Sequence, residues 1–200
     1  MRSYKKQLQE KNYVVVKNLV SKEQCKLASD FLKLTSLFLQ SNLGYVEGDE
    51  QVPNSEYAAS SNPVAETLLF SVLGKIEKIT GKSLYPTYSY SRIYVPGNVL
   101  KKHKDRPSCE ISATVLLKET DGYNWPIYMG GEKVVLEQGD AVIYRGCDIA
   151  HWRQKCKGPK GYNLSQTFLH YVDKEGECSS FKYDGSEERE KLHSKFLEVQ

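Results

Sequence analysis

Apolar positions follow two rhythms along the chain, and the change falls near residue 85. Before it, the short run Tyr13–Val16 predicts a strand. Ser21, with Gln24 three residues on, has the form of a helix capping box. Leu27, Phe31, Leu34 and Phe38 lie along one helical face, the mark of an amphipathic helix. Residues 41–62 are rich in Ser, Asn, Gly and Glu and read as a loop. Pro63 suits the first turn of a second helix, in which Ala65, Leu68, Leu69, Val72, Leu73 and Ile76 recur at helical spacing. Gly81 supplies its stop.

From Tyr85 the period becomes two. Tyr88, Tyr90, Arg92 and Tyr94 share one side of a strand, and Ser89, Ser91, Ile93 and Val95 the other. Pro96–Gly97 turns the chain, and Ile111, Ala113, Val115 and Leu117 alternate in a second strand. Short strands are expected at Pro126–Met129, Glu132–Glu137, Ala141–Tyr144, His151–Gln154 and Leu164–Val172, with glycine turns between several of them. Helices followed by many short strands predict an α+β fold with a double-sheet barrel. The expected organisation is one domain over residues 1–200. Residues 1–84 give mostly helical support, 85–172 the β-barrel core, and 173–200 a tail whose end, Ser186–Gln200, is helical.

Composition narrows the function little. Two hundred residues suit one domain, and 40% hydrophobic with 26% charged residues is an ordinary globular balance. A net charge of +3 gives no clear nucleic-acid or membrane signal. No apolar run is long enough to span a bilayer, and the polar Met1–Glu10 segment has no secretory character. The five cysteines, at 25, 109, 147, 156 and 178, contain no CxxC pair, which argues against structural zinc. Reduced thiols and a cytoplasmic location are the expectation. Oligomeric state is left open.

The candidate chemistry lies in His103–Lys104–Asp105 and the later His151. Two histidines and a carboxylate on one face of an iron ion leave three coordination positions free. Residues i and i+2 of an extended segment point the same way, so His103 and Asp105 can grip one ion. His151, at the start of a predicted strand, supplies the third ligand from elsewhere. The pair alone is weak evidence, since four basic residues, Lys101, Lys102, Lys104 and Arg106, surround it as in a solvated loop.

The flanks add to it. Tyr94-x-Pro96-Gly97-x-x-Leu100-x-x-His103-x-Asp105 resembles a segment of the Fe(II)/2-oxoglutarate oxygenases, including prolyl-hydroxylase-like and AlkB-like members. Gly139–Asp140 through Tyr144 resembles the lead-in to their distal histidine, which His151 matches, and Leu164–Val172 resembles their closing strand. The resemblance covers about residues 85–172 and implies a double-stranded β-helix, a jelly-roll barrel of the cupin type. It implies Fe(II) held by His103, Asp105 and His151, with 2-oxoglutarate as cosubstrate and O2 as oxidant. The implied reaction hydroxylates a peptide or small molecule and releases succinate and CO2.

A cation must meet the distal carboxylate of 2-oxoglutarate, since guanidinium binds it through two parallel hydrogen bonds. Lys160 stands near the spacing of the prolyl-hydroxylase pattern, but Lys157–Gly161 reads as an exposed turn. Arg153, two residues after His151 and so on the same strand face, is the first choice, against a salt bridge to Asp148 as its plain structural role. Arg92 is the second, with Tyr94, which matches a tyrosine that contacts the cosubstrate in AlkB-like members. Tyr88 and Tyr90 read as barrel packing, Trp152 as outward packing, and Cys109 and Cys147 as small core residues. His170 reads as packed or surface, and His193 as lying on a surface helix. Gln166 and Thr167 face opposite ways, and either could reach the cosubstrate. The loop 41–62, with Tyr45, Glu47, Asp49 and Tyr57, is expected to cover the barrel mouth. A cupin-like metalloprotein without 2-oxoglutarate and a non-catalytic binding module are the alternatives.

Overall fold

The computed structural model describes residues 3–43, 48–120 and 122–198. In chain order its elements are α1 (Tyr4–Lys11), β1 (Tyr13–Val16), α2 (Lys22–Leu43), β2 (Tyr57–Ser60), α3 (Pro63–Ser71) and α4 (Leu73–Thr80). Then come β3 (Leu84–Tyr94), β4 (Leu100–His103), β5 (Ile111–Glu119), β6 (Ile127–Met129) and β7 (Glu132–Val134). Last are β8 (Ala141–Arg145), β9 (His151–Arg153), β10 (Leu164–Asp173) and α5 (Glu187–Glu198).

Local chemistry explains the helix ends. The capping box forms: the Gln24 backbone N–H donates to Ser21 Oγ at 3.2 Å, and the Ser21 N–H donates to Gln24 Oε1 at 3.1 Å. Asn62 caps α3 by accepting from the Ala65 N–H, with Pro63 at the first helical position. α4 ends on Gly81 in the left-handed region, at φ 69°. The expected single helix over residues 63–80 is broken at Val72 into α3 and α4. Sequence reading also missed α1, and it took β2 as loop.

The strands form two antiparallel sheets. One has six strands in the order β1-β8-β5-β10-β3-β2, the other four in the order β4-β9-β6-β7. This is the α+β double-stranded β-helix expected. The long central strands β5 and β10 are buried on both faces over most of their length, and β3 is buried but for Tyr85, Tyr88 and Tyr90, which are partly exposed. On β5, Ile111, Ala113, Val115 and Leu117 join the core beneath the helices, with Leu32, Leu69 and Ile76. Leu116 turns the other way, into a second core inside the barrel with Tyr94, Leu100, Trp125, Ile127, Val142 and Tyr144. The apolar alternation read on β5 therefore marks the helix side, not the barrel interior. The β3–β10 ladder slips beside Pro86, which has no N–H to donate.

The apolar stripe on α2 does not face the core. Leu27, Leu34 and Phe38 are 68%, 67% and 64% exposed, and only Phe31 is partly covered. The helix sits on the sheet through Cys25, Ala28, Ser29, Leu32 and Ser36. Small residues let the helix approach closely enough for the Cys25 thiol to lie 3.8 Å from the Leu116 carbonyl. Among the described residues, no helix is long and apolar enough to cross a membrane. All five cysteines are free.

Candidate metal centre

β4 and β9 pair so that His103 lies directly opposite His151, with ring centroids 4.3 Å apart. Asp105 follows β4 by two residues and is pinned by its own N–H, which donates to the Gly146 carbonyl at 3.0 Å. One carboxylate oxygen, Oδ1, lies 3.6 Å from His103 Nε2 and 3.5 Å from His151 Nε2. Ligands about 2.1 Å from one ion and at right angles stand roughly 3 Å apart, so little adjustment is needed to share a metal. Each ring's Nδ1 faces a backbone carbonyl, of Lys101 at 2.8 Å and of Ile149 at 3.3 Å. An Nδ1–H donated there leaves the Nε2 lone pair pointing at the shared point. Burial pushes the His151 pKa below its ordinary value, which favours the neutral ligating form.

The three donors stand at a cavity of about 280 Å³ lined also by Tyr88, Tyr90, Arg92, Tyr144, Phe168 and His170. Tyr88 and Tyr90 thus line the site as well as packing the barrel. His170, read as packed or surface, is buried and borders the cavity, because it alternates in phase with Gln166 and Phe168 on β10. Burial drives its pKa down to about 4. Cys109 lies at the same wall, 3.2 Å from the Tyr88 hydroxyl. His193 is also buried, not on a surface, and its Nε2 lies 2.9 Å from Glu66.

The three candidate cosubstrate cations part company. Lys160 is exposed on its turn and does not reach the cavity. Arg153 is buried deeper, against Trp125 and Tyr94, and donates to the Trp125 carbonyl at 2.5 Å. It has no salt bridge to Asp148, which pairs with Arg145 at 2.6 Å, and its Nε has no partner among the described residues. Arg92 lines the cavity itself and donates to the Tyr94 hydroxyl at 3.1 Å. Gln166 stands opposite Arg92 in the β3–β10 register, and among the described residues both polar atoms of its side-chain amide lack partners, as does Arg92 Nε. Thr167 turns away, to Ser91 and the Tyr90 carbonyl. Trp152 lies outside the cavity, stacked on Tyr128 at 5.4 Å.

Part of the loop expected at the barrel mouth does lie there. Asp49 forms an ion pair with Arg92 and accepts from the Tyr90 hydroxyl. Burial opposes its ionisation, but these two donors hold its carboxyl below the usual range. Gln51 lies 2.9 Å from His103 Nε2 and accepts from Arg92 at 3.2 Å. Tyr57 sits in β2, and Tyr45 and Glu47 lie outside the described residues. No motif marks Asp49 or Gln51, and only the loop's position pointed to them.

No protein-family profile and no curated protein matches the sequence. Solved structures do match the fold. A Pseudomonas putida prolyl-4-hydroxylase aligns over 82% of this chain and 95% of its own at 13% identity and TM-score 0.60. SnoN, a non-heme α-ketoglutarate-dependent epimerase from nogalamycin biosynthesis, aligns over 85% and 79% at 11% identity and TM-score 0.65. HygX from Streptomyces hygroscopicus, solved with nickel, 2-oxoglutarate and hygromycin B, aligns over 83% and 84% at 11% identity and TM-score 0.61. The chain therefore has the double-stranded β-helix fold seen in 2-oxoglutarate-dependent oxygenases. At such identities the likeness is one of fold, and the chemistry must be argued from the site.

Proposed function

We propose that the chain is an Fe(II)- and 2-oxoglutarate-dependent oxygenase that hydroxylates a peptide or small molecule. The observation that carries this reading is the convergence of His103 Nε2, His151 Nε2 and Asp105 Oδ1 at the mouth of a barrel cavity. Two imidazoles and one carboxylate suit iron that must keep positions open. The fit extends inward, where Arg92 and, opposite it in the β3–β10 register, Gln166 present buried polar atoms without partners among the described residues. Buried polar groups are normally satisfied, so these orphans fit a polar ligand between them. Bound at this site, Fe(II), 2-oxoglutarate and O2 together supply oxidative hydroxylation with loss of CO2 and formation of succinate.

The chain's own residues bind and orient. His103, Asp105 and His151 hold the metal from one side. Arg92 meets the distal carboxylate of the cosubstrate, and the Tyr94 hydroxyl, which accepts from Arg92, fixes the guanidinium plane. Arg92 is preferred to Arg153 because it lines the cavity that holds the metal donors. Tyr88, Tyr90 and Phe168 form an aromatic wall that sheds water from the reacting space. The neighbours act on different chemistry: a peptide of hypoxia-inducible factor is bound to one, and hygromycin B to another. Both peptides and small molecules are thus compatible with this fold. The whole chain, residues 1–200, serves as one catalytic unit in this reading.

The test is spectroscopic. Protein purified without oxygen and given Fe(II) and 2-oxoglutarate should show the weak visible charge-transfer band of the chelate. His103→Ala should abolish it. Absence of the band in wild type, or its survival in the variant, overturns the proposal. Succinate formed with a substrate separates this reading from a metalloprotein that does not use 2-oxoglutarate.

A further inference from the structure

The carboxylate of Asp105 is held from behind. Its Oδ1 faces the two histidines, and its Oδ2 lies 3.1 Å from Ser112 Oγ. Ser112 Oγ also lies 2.9 Å from His170 Nδ1 and 3.1 Å from the Cys109 carbonyl. Ser112 and His170 are buried, and both face the barrel interior.

Proton counting orders these contacts. A serine hydroxyl has one proton and can accept two. Were His170 Nδ1 an acceptor, Ser112 would be pulled toward it and away from Asp105. With the proton on Nδ1, His170 donates to Ser112 Oγ, and the single hydroxyl proton has two acceptors at 3.1 Å, the Cys109 carbonyl and Asp105 Oδ2, of which the charged carboxylate is the stronger. The Tyr88 ring, 4.6 Å from the imidazole, packs against His170 and limits its swing. The charged groups that bear on His170 are Asp105, Arg106, Asp184 and His151. Among the described residues none of them is a hydrogen-bond partner of His170, whose Nδ1 meets Ser112 instead.

We propose that His170 and Ser112 act as positioning residues, a two-step hydrogen-bond relay that engages Asp105 Oδ2 and leaves Oδ1 alone to ligate the metal. This rests on the reading of His103, Asp105 and His151 as the metal centre. The consequence is functional. A carboxylate free to rotate can bind through both oxygens and take up a position that the cosubstrate or oxygen needs. One that is tied at Oδ2 keeps three positions open. Such outer partners of metal ligands typically change affinity about 10–100-fold when removed.

Titration of the metal-free protein with Co(II), followed by its visible absorption, tests the relay without turnover. Ser112→Ala and His170→Leu should weaken Co(II) binding about 10–100-fold and change the band shape, the mark of altered ligation. His170→Asn, whose amide can donate from a place near Nδ1, should restore most of the affinity. Melting of the metal-free proteins controls for folding, and Ser112→Ala decides the matter if His170→Leu fails to fold. Co(II) affinity within twofold of wild type in Ser112→Ala, or His170→Asn as weak as His170→Leu, overturns the relay. In those cases a wild-type spectrum that His103→Ala abolishes leaves the metal centre itself standing. No Co(II) spectrum in wild type overturns both.

Discussion

Arg92 is the residue on which the cosubstrate assignment turns. Its guanidinium is buried and points into the metal cavity, with Tyr94 on one side and Asp49 on the other. Replacing it by Gln removes a charge-assisted hydrogen bond worth about 1.5–3 kcal/mol to a bound carboxylate. At about 1.4 kcal/mol per tenfold, the dissociation constant for 2-oxoglutarate should rise roughly 10–150-fold. Iron affinity should change little, since Arg92 is not among the donors. The substitution also leaves Asp49 without its counter-ion, so Arg92→Gln is best compared with Arg92→Gln/Asp49→Asn, in which no carboxylate is stranded. The assay is anaerobic titration of the Fe(II) protein with 2-oxoglutarate, read at the charge-transfer band, with Arg153→Gln in parallel. If Arg92→Gln binds 2-oxoglutarate like wild type while Arg153→Gln loses it, the deeper guanidinium is the anchor and the reasoning here is wrong.

Three further outcomes are expected. Asp49→Ala should tighten 2-oxoglutarate binding several-fold by isothermal titration, because the Asp49 carboxylate engages the Arg92 guanidinium that the cosubstrate carboxylate would meet; weaker binding would show that Asp49 orients Arg92 instead. Gly146→Ala should lower stability by about 1–3 kcal/mol in urea unfolding and weaken metal binding, since its Cβ would clash with the Cys109 carbonyl and lie 2.6 Å from Asp105 Oδ2; unchanged values would mean the loop relaxes freely. Glu66, partly buried and bonded to His193 and Ser89, has its pKa held below the ordinary value although burial opposes this. The depressed acid stabilises the fold above its unfolded pKa, near 4.5, and loses that contribution as pH falls through the folded value. The melting-temperature gap between wild type and Glu66→Gln should therefore shrink on acidification from pH 6 to pH 3, and a gap independent of pH would refute the assignment.

Much of the barrel was legible because its signals are local. The capping box at Ser21 and Gln24, the proline at the start of α3 and the glycine after α4 act over three or four residues. Alternation on β3 and β5 follows from the two-residue period of any strand, and it placed Tyr88, Tyr90, Arg92 and Tyr94 on one face. The shared direction of His103 and Asp105, two apart, follows from the same period, whereas reading them with His151 as metal donors rested on the resemblance of their flanks.

Tertiary packing decided the rest. Whether α2 buries its large or its small residues depends on how closely the sheet approaches, and the sheet selected Cys25, Ala28 and Leu32 over Leu27, Leu34 and Phe38. The orientation of β10 put Gln166 and His170 inside and Thr167 outside, a choice of phase that alternation alone leaves twofold. Arg92 and Arg153 are equivalent as letters; the depth at which β3 and β9 cross the barrel gave the first the cavity and the second a place behind Trp125. Asp49 and Gln51 reach the site through contacts to residues 41 to 52 positions away in sequence, which no local pattern encodes.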